Sequence, residues 1–111
     1  MKLNYVIKFV SDMTRAVSFY RDVLGLPLKF ESPGWTEFAT GETTLALHLA
    51  SDKNHAGTLQ LGFGVTDIQA SYDKMAGSGV EFTMRPTNAE FGVLLARFLD
   101  SEGAECTVAE H

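Results

Sequence analysis

Val10-Ser11-Asp12-Met13 and Val65-Thr66-Asp67-Ile68 stand fifty-five positions apart in a chain of 111 residues, and each joins an apolar, strand-like run to a helical one. This repeat limits the fold more than any other feature of the sequence. Leu24-Gly25-Leu26 ends the first helical run as Ser78-Gly79-Val80 ends the second, and further strand-like segments follow in each copy. A chain of this length buries roughly 65% of its unfolded surface as one domain, so the duplication lies within a single domain, residues 1–111. The expected class is α+β: two tandem βαβββ modules, approximately 1–50 and 58–111, forming one cupped mixed β-sheet with the helices outside. The polar stretch Ser51-Asp52-Lys53-Asn54-His55-Ala56-Gly57 is the linker, and a cup of this kind is a place to hold a small molecule.

In the first copy the pattern predicts a strand over Leu3–Val10, a helix from Asp12 to Leu24 capped by Asp12, and strands at Leu26–Glu31, Trp35–Thr40 and Thr43–Ala50. Ala16, Phe19, Tyr20, Val23 and Leu24 fall at the spacing of one buried helical face. The second copy predicts a strand over Thr58–Val65, a helix from Asp67 to Gly77 with Ile68, Tyr72, Met75 and Ala76 inward, and strands at Val80–Arg85, Phe91–Leu99 and Glu105–Ala109. Gly25 and Gly79 supply left-handed stops.

Strand alternation assigns faces. Leu45, Leu47 and Leu49 should pack on the first helix, leaving Thr44, Ala46 and His48 toward the cup. Leu59, Leu61, Phe63 and Val65 should pack on the second helix, leaving Gln60, Gly62 and Gly64 toward the cup with Glu105, Thr107 and Ala109. Across the repeat Tyr5, Ile7 and Phe9 match Gln60, Gly62 and Gly64, which places them in the cup too, although both faces of that strand are apolar. Gly62 and Gly64 imply space above them. Trp35 is either core or a wall at the cup mouth, and Arg97, inside an apolar strand, either points to solvent or meets a ligand anion or Glu105.

Several partners are disfavoured by composition. Nine basic against fourteen acidic residues, with no basic cluster, argue against nucleic acid. No apolar run approaches the roughly 18 residues of a membrane span, and the N-terminus enters a strand rather than a signal core, so the expectation is a cytoplasmic protein. Cys106 is the only cysteine, expected to be a buried and inert thiol. His55 lies in the linker and His111 at the terminus, and no nucleophile–base spacing, paired-cysteine motif or phosphate loop is present.

The strings FVSDMTRAVSFYRDVLGLPL, GFGVTDIQASYDKMAGSGVEF and ARFLDSEGAE together resemble the vicinal oxygen chelate superfamily, which includes glyoxalase I, extradiol dioxygenases, and fosfomycin- and bleomycin-resistance proteins. The resemblance spans nearly the whole chain. One departure is Asp100-Ser101-Glu102-Gly103-Ala104, where the family often has Asp-Pro-Asp-Gly-Asn; Gly103 keeps the turn feasible.

Enzymes of that superfamily hold a divalent metal with cup-facing His, Glu or Gln side chains, and the resemblance places those positions at Tyr5, Ala46, Gln60 and Thr107. Only Gln60 is a plausible ligand there, so no metal or other cofactor is expected. A displaced set of His48, Gln60 and Glu105 is disfavoured, since two residues along a strand move a side chain about 6.6 Å. The resemblance therefore implies a metal-free small-molecule-binding protein like the bleomycin-resistance branch, with Tyr5, Ile7, Ala46, His48, Gln60, Arg97, Glu105 and Thr107 as ligand-binding residues and a homodimer as its assembly. The alternative is a lyase, isomerase or dioxygenase using a displaced metal or His48 as acid and base; a module whose cup closes only against a second subunit is the third reading.

Overall fold

The computed structural model describes residues 1–89 and 92–111. Its elements run β1 (Lys2–Val10), α1 (Met13–Ser18), a π-helical segment (Phe19–Val23), β2 (Leu28–Glu31), β3 (Trp35–Ala39), β4 (Thr44–Leu49), β5 (Leu59–Val65), α2 (Ile68–Gly77), β6 (Phe82–Asn88), β7 (Leu94–Leu99) and β8 (Glu105–Glu110). The βαβββ order is thus present twice, in an α+β chain. Contacts gather into two compact units, Asn4–Leu59, and Gln60–His111 with Met1–Leu3.

Each unit is a mixed sheet of the same topology. In the first, β2, β3 and β4 are antiparallel neighbours and β4 runs parallel to β1; in the second, β6, β7 and β8 repeat the pattern and β8 runs parallel to β5. A parallel return needs a long crossover, and the helix with two strands supplies it in both copies. The helix starts are chemically alike: the Asp12 carboxylate accepts from the Arg15 backbone N–H and the Asp67 carboxylate from that of Ala70, both at 3.0 Å. Gly25 and Gly79 follow the helices at φ +74° and +93°, a conformation that costs glycine little.

The first unit has an apolar layer on each face of its sheet. Met13 and Val17 of α1 bury against Phe38 and Leu47, joined by Val10, Ala16, Tyr20, Leu26 and Leu45. On the other face Ile7, Phe9 and Ala46 bury with Tyr5, Trp35 and Ala50. In the second unit Ile68 of α2 packs with Val65, Ala96, Phe98, Cys106 and Val108. The Asp100 turn survives without the family's proline, because the Asp100 carboxylate accepts from the N–H groups of Glu102 at 2.8 Å and Ala104 at 3.0 Å.

Four expectations need correction. The first helix is not regular to Leu24: the Leu24 N–H reaches back five residues to the Phe19 carbonyl, and that wider turn rotates Val23 and Leu24 off the buried stripe, leaving them 71% and 53% exposed, while Phe19, still in regular α geometry, lies off the stripe of Met13, Val17 and Tyr20 and is 46% exposed. Leu49, Leu59 and Leu61 do not pack under a helix, since α1 and α2 reach only the segments around Leu45–Leu47 and Phe63–Val65. Ala76 is exposed. The sixth strand begins at Phe82 and continues to Asn88 with irregular pairing around Met84, near Pro86, which has no N–H to donate. The expected start of the next strand at Phe91 lies outside the described residues. Among those described, no helix is long and apolar enough to cross a membrane.

Candidate functional site

The face of the first unit turned away from α1 is built from three strands in lateral register. Tyr5, Thr44 and Ala39 form one row, Ile7, Ala46 and Glu37 the next, and Phe9, His48 and Trp35 the third. Alternation forces this arrangement: once Phe38, Leu45 and Leu47 are committed to α1, Glu37, Ala46 and His48 must lie opposite. Trp35, left open by sequence, belongs to this face. Ile7, Phe9 and Ala46 are its buried floor, while Tyr5 and Trp35 are half-buried and His48 is exposed.

Four rings gather here. Tyr5 lies 6.1 Å from Trp35 between centroids, His48 meets Trp35 edge-on at 5.9 Å, and His48 meets Phe9 edge-on at 5.5 Å. The Trp35 indole N–H donates to the Glu37 carboxylate at 2.8 Å, fixing the ring. The other Glu37 oxygen is 3.9 Å from the Lys29 ammonium, which also donates to the Thr44 hydroxyl at 3.0 Å. Burial first, and then the negative charge of Glu37, push the Tyr5 hydroxyl above its ordinary range. His48 Nδ1 donates to the Leu49 carbonyl at 2.7 Å, and because a carbonyl can only accept, the lone pair of the neutral ring sits on Nε2. The face therefore offers an aromatic wall, a carboxylate, an imidazole acceptor and a neutral phenol. Glu37 and Lys29 were not singled out from sequence, although the alternation Trp35, Glu37, Ala39 was there to be read.

On the second unit, the face turned away from α2 brings Gly62, Thr107, Arg97 and Met84 into one row, and Gly64, Ala109, Leu95 and Thr87 into the next. Gln60 falls on this face by alternation, and Arg97 is half-buried in it. Glu105 lies there too and accepts from the Thr83 hydroxyl at 2.7 Å. Gly62 and Gly64 are both buried, so their backbone is covered rather than open. Of the sequence-derived site residues, Tyr5, Ile7, Ala46 and His48 thus share one face of the first unit, and Gln60, Arg97, Glu105 and Thr107 one face of the second.

The family's metal positions do not present a donor set. The Ala46 methyl has no donor atom and is fully buried, the Tyr5 hydroxyl is made harder to ionise, and Thr107 offers a neutral hydroxyl. Among the described residues no three His, Cys, Asp or Glu side chains come together as a set that would hold a metal ion.

The family model of the Glyoxalase/Bleomycin resistance protein/Dioxygenase superfamily matches residues 2–107, and the chain belongs to that superfamily. It is 30% identical over 118 aligned positions to the uncharacterized protein YraH of Bacillus subtilis (strain 168), with 92% of each chain covered. Among solved structures, the hypothetical protein BH1468 from Bacillus halodurans C-125 superposes with TM-score 0.81 at 18% identity, covering 99% of this chain and 94% of that one. The methylmalonyl-CoA epimerase from Mycobacterium tuberculosis gives TM-score 0.81 at 18% identity, covering 98% of this chain and 87% of that one. These structural likenesses show the fold.

The raised Tyr5 hydroxyl has a consequence for pH. The folded chain holds that proton more tightly than the unfolded chain, so the contribution is complete below the ordinary value of 10.0 and is lost as pH rises through the higher folded value. Tyr5→Phe should therefore flatten the alkaline side of the stability profile above about pH 10, as read by urea denaturation at successive pH values. An unchanged alkaline slope would remove Tyr5 as its source.

Proposed function

We propose that this protein is a metal-independent small-molecule-binding protein whose ligand lies against the ring-lined face of the first unit. The observation that carries the reading is the convergence of Tyr5, Phe9, Trp35 and His48 on one face, with Trp35 held by Glu37. Rings fixed in advance lose little freedom when a flat apolar body settles on them. His48 Nε2 and the Glu37 carboxylate accept from N–H or O–H groups of the ligand. The second unit's face has its own binding chemistry, since Arg97 beside Thr107 suits an anionic or hydrogen-bonding group.

Metal independence is directly testable. A divalent ion at a hundred times its dissociation constant stabilises a protein by about 2.7 kcal/mol, which would raise the melting temperature of a domain this size by roughly 10 °C or more. Zinc, nickel, iron and manganese should each leave the melting temperature within about 1 °C of the metal-free protein, on the same linkage arithmetic. Elemental analysis showing about one such metal per chain, lost on His48→Ala, would instead assign the enzyme reading, a lyase or isomerase of the glyoxalase type. What favours that reading is the outward Nε2 lone pair of His48, which can serve either as a metal ligand or, without metal, as a base.

A homodimer is proposed as the working assembly. The outermost strand of the first unit's sheet, β2, leaves Leu28 and Phe30 40% and 52% exposed, near in sequence to exposed Val23 and Leu24, and an uncovered apolar edge favours pairing. Sedimentation equilibrium at micromolar concentration should give twice the chain mass of 12.1 kDa, and a single species at the chain mass would remove the dimer.

A further inference from the structure

On the opposite side of the first unit from its ring-lined face, β1, α1 and the turn around Ala56–Gly57 border an open groove of about 480 Å3, within the usual range for small-molecule sites. One wall is fixed by backbone pairing of the turn with β1: the Phe9 N–H donates to the Thr58 carbonyl at 3.0 Å and the Gly57 N–H to the Phe9 carbonyl at 2.8 Å. The apolar lining comes from Ala16, Phe19 and Tyr20, and Phe19, about half exposed, meets Tyr20 edge-on at 5.3 Å.

Two cations stand in this groove. Lys8 is half-buried, with its ammonium donating to the Gly57 carbonyl at 2.9 Å, and an ammonium has two further N–H bonds to give. The Arg15 guanidinium donates to the Ser11 hydroxyl at 3.1 Å, using one of five N–H bonds. Neither forms an ion pair among the described residues. The Asp12 carboxylate also borders the groove, with one oxygen bound to the Arg15 backbone N–H. The fold itself does not require the cations, for the duplicated copy carries Phe63 and Ala70 at the matching positions.

We infer that this groove binds a small amphipathic monoanion, an organic carboxylate whose charged end lies between Lys8 and Arg15 and whose apolar body lies on Ala16, Phe19 and Tyr20. The inference is independent of the reading given to the ring-lined face. In a proton–nitrogen correlation titration with 2-naphthoate, the amide signals of Ser11, Arg15, Phe19 and Gly57 should move saturably, while those of Trp35 and His48 stay still. The combined Lys8→Gln, Arg15→Gln variant should bind about tenfold more weakly, as should uncharged 2-naphthalenemethanol to the parent protein, because each comparison removes the charge-assisted hydrogen bonds. Trp35→Phe should bind 2-naphthoate as the parent does. Equal affinity for the acid and the alcohol, unchanged affinity in the double variant, shifts centred on Trp35 and His48, or no saturable binding in the millimolar range would each overturn the assignment.

Discussion

Phe38→Ala is expected to remove about 3–5 kcal/mol of folding stability, the cost of emptying a buried phenyl site. Phe38 is 0% exposed and packs with Met13, Val17 and Leu47, with its ring 6.0 Å from that of Tyr20, so it lies in the buried layer between α1 and its sheet. The surroundings are a β-strand and a helix held at both ends, which limits their collapse into the void. Since domains hold only about 5–15 kcal/mol in total, the variant should lie close to unfolding at body temperature. Leu59, on β5 and 58% exposed, is the internal control, and Leu59→Ala should change stability by no more than about 0.5 kcal/mol. Urea titrations with unchanged slopes give both numbers. Equal losses at the two positions would contradict the assignment of the buried face.

Trp35→Ala should cost the ligand of the ring-lined face about 2 kcal/mol, or roughly thirtyfold in affinity. The figure follows from roughly 80 Å2 of indole face buried under a flat ligand at about 25 cal/mol per Å2. Trp35→Phe should recover part of the loss, because it restores an aromatic surface but not the N–H that holds Glu37. Calorimetric titration of both variants separates packing from the hydrogen bond. Full affinity in Trp35→Ala would mean that the ligand does not touch this wall.

The repeat makes the topology legible in the sequence, since matching helix caps at Asp12 and Asp67 and matching stops at Gly25 and Gly79 define one unit used twice. The limits of α2, Ile68–Gly77, were readable for the same reason. Alternation correctly divided Leu45 and Leu47 from Ala46 and His48, but it cannot tell how far along a strand a helix extends. Periodicity alone therefore assigns Leu49, Leu59 and Leu61 to helices that do not reach them. The helical period likewise assumes a constant pitch. The wider turn at Leu24 takes Val23 and Leu24 off the stripe, and Phe19, already off the stripe of Met13, Val17 and Tyr20, borders the groove instead.

The site was read in outline only. Tyr5, Ile7, Ala46 and His48 were placed on one face by periodicity, but Glu37 and Lys29 looked like ordinary solvated charges. Their roles depend on Trp35 Nε1 reaching two residues along its own strand and on Lys29 reaching across to Thr44, geometry that composition does not encode. Ala46 is also more confined than its size suggests: at 0% exposure, Ala46→Phe would overpack the floor, costing about 1–3 kcal/mol before it could block a ligand.

Trp35 is the only tryptophan in the chain, so its emission reports on the ring-lined face alone. Uncharged aromatic compounds that raise the melting temperature in a thermal-shift screen should be titrated against that emission and, in parallel, by calorimetry. A saturable change in Trp35 emission with the same midpoint as the calorimetric curve is expected for ligands held on this face. If none of the compounds that bind by calorimetry moves the emission of Trp35, binding on this face is contradicted and small-molecule binding lies elsewhere on the protein.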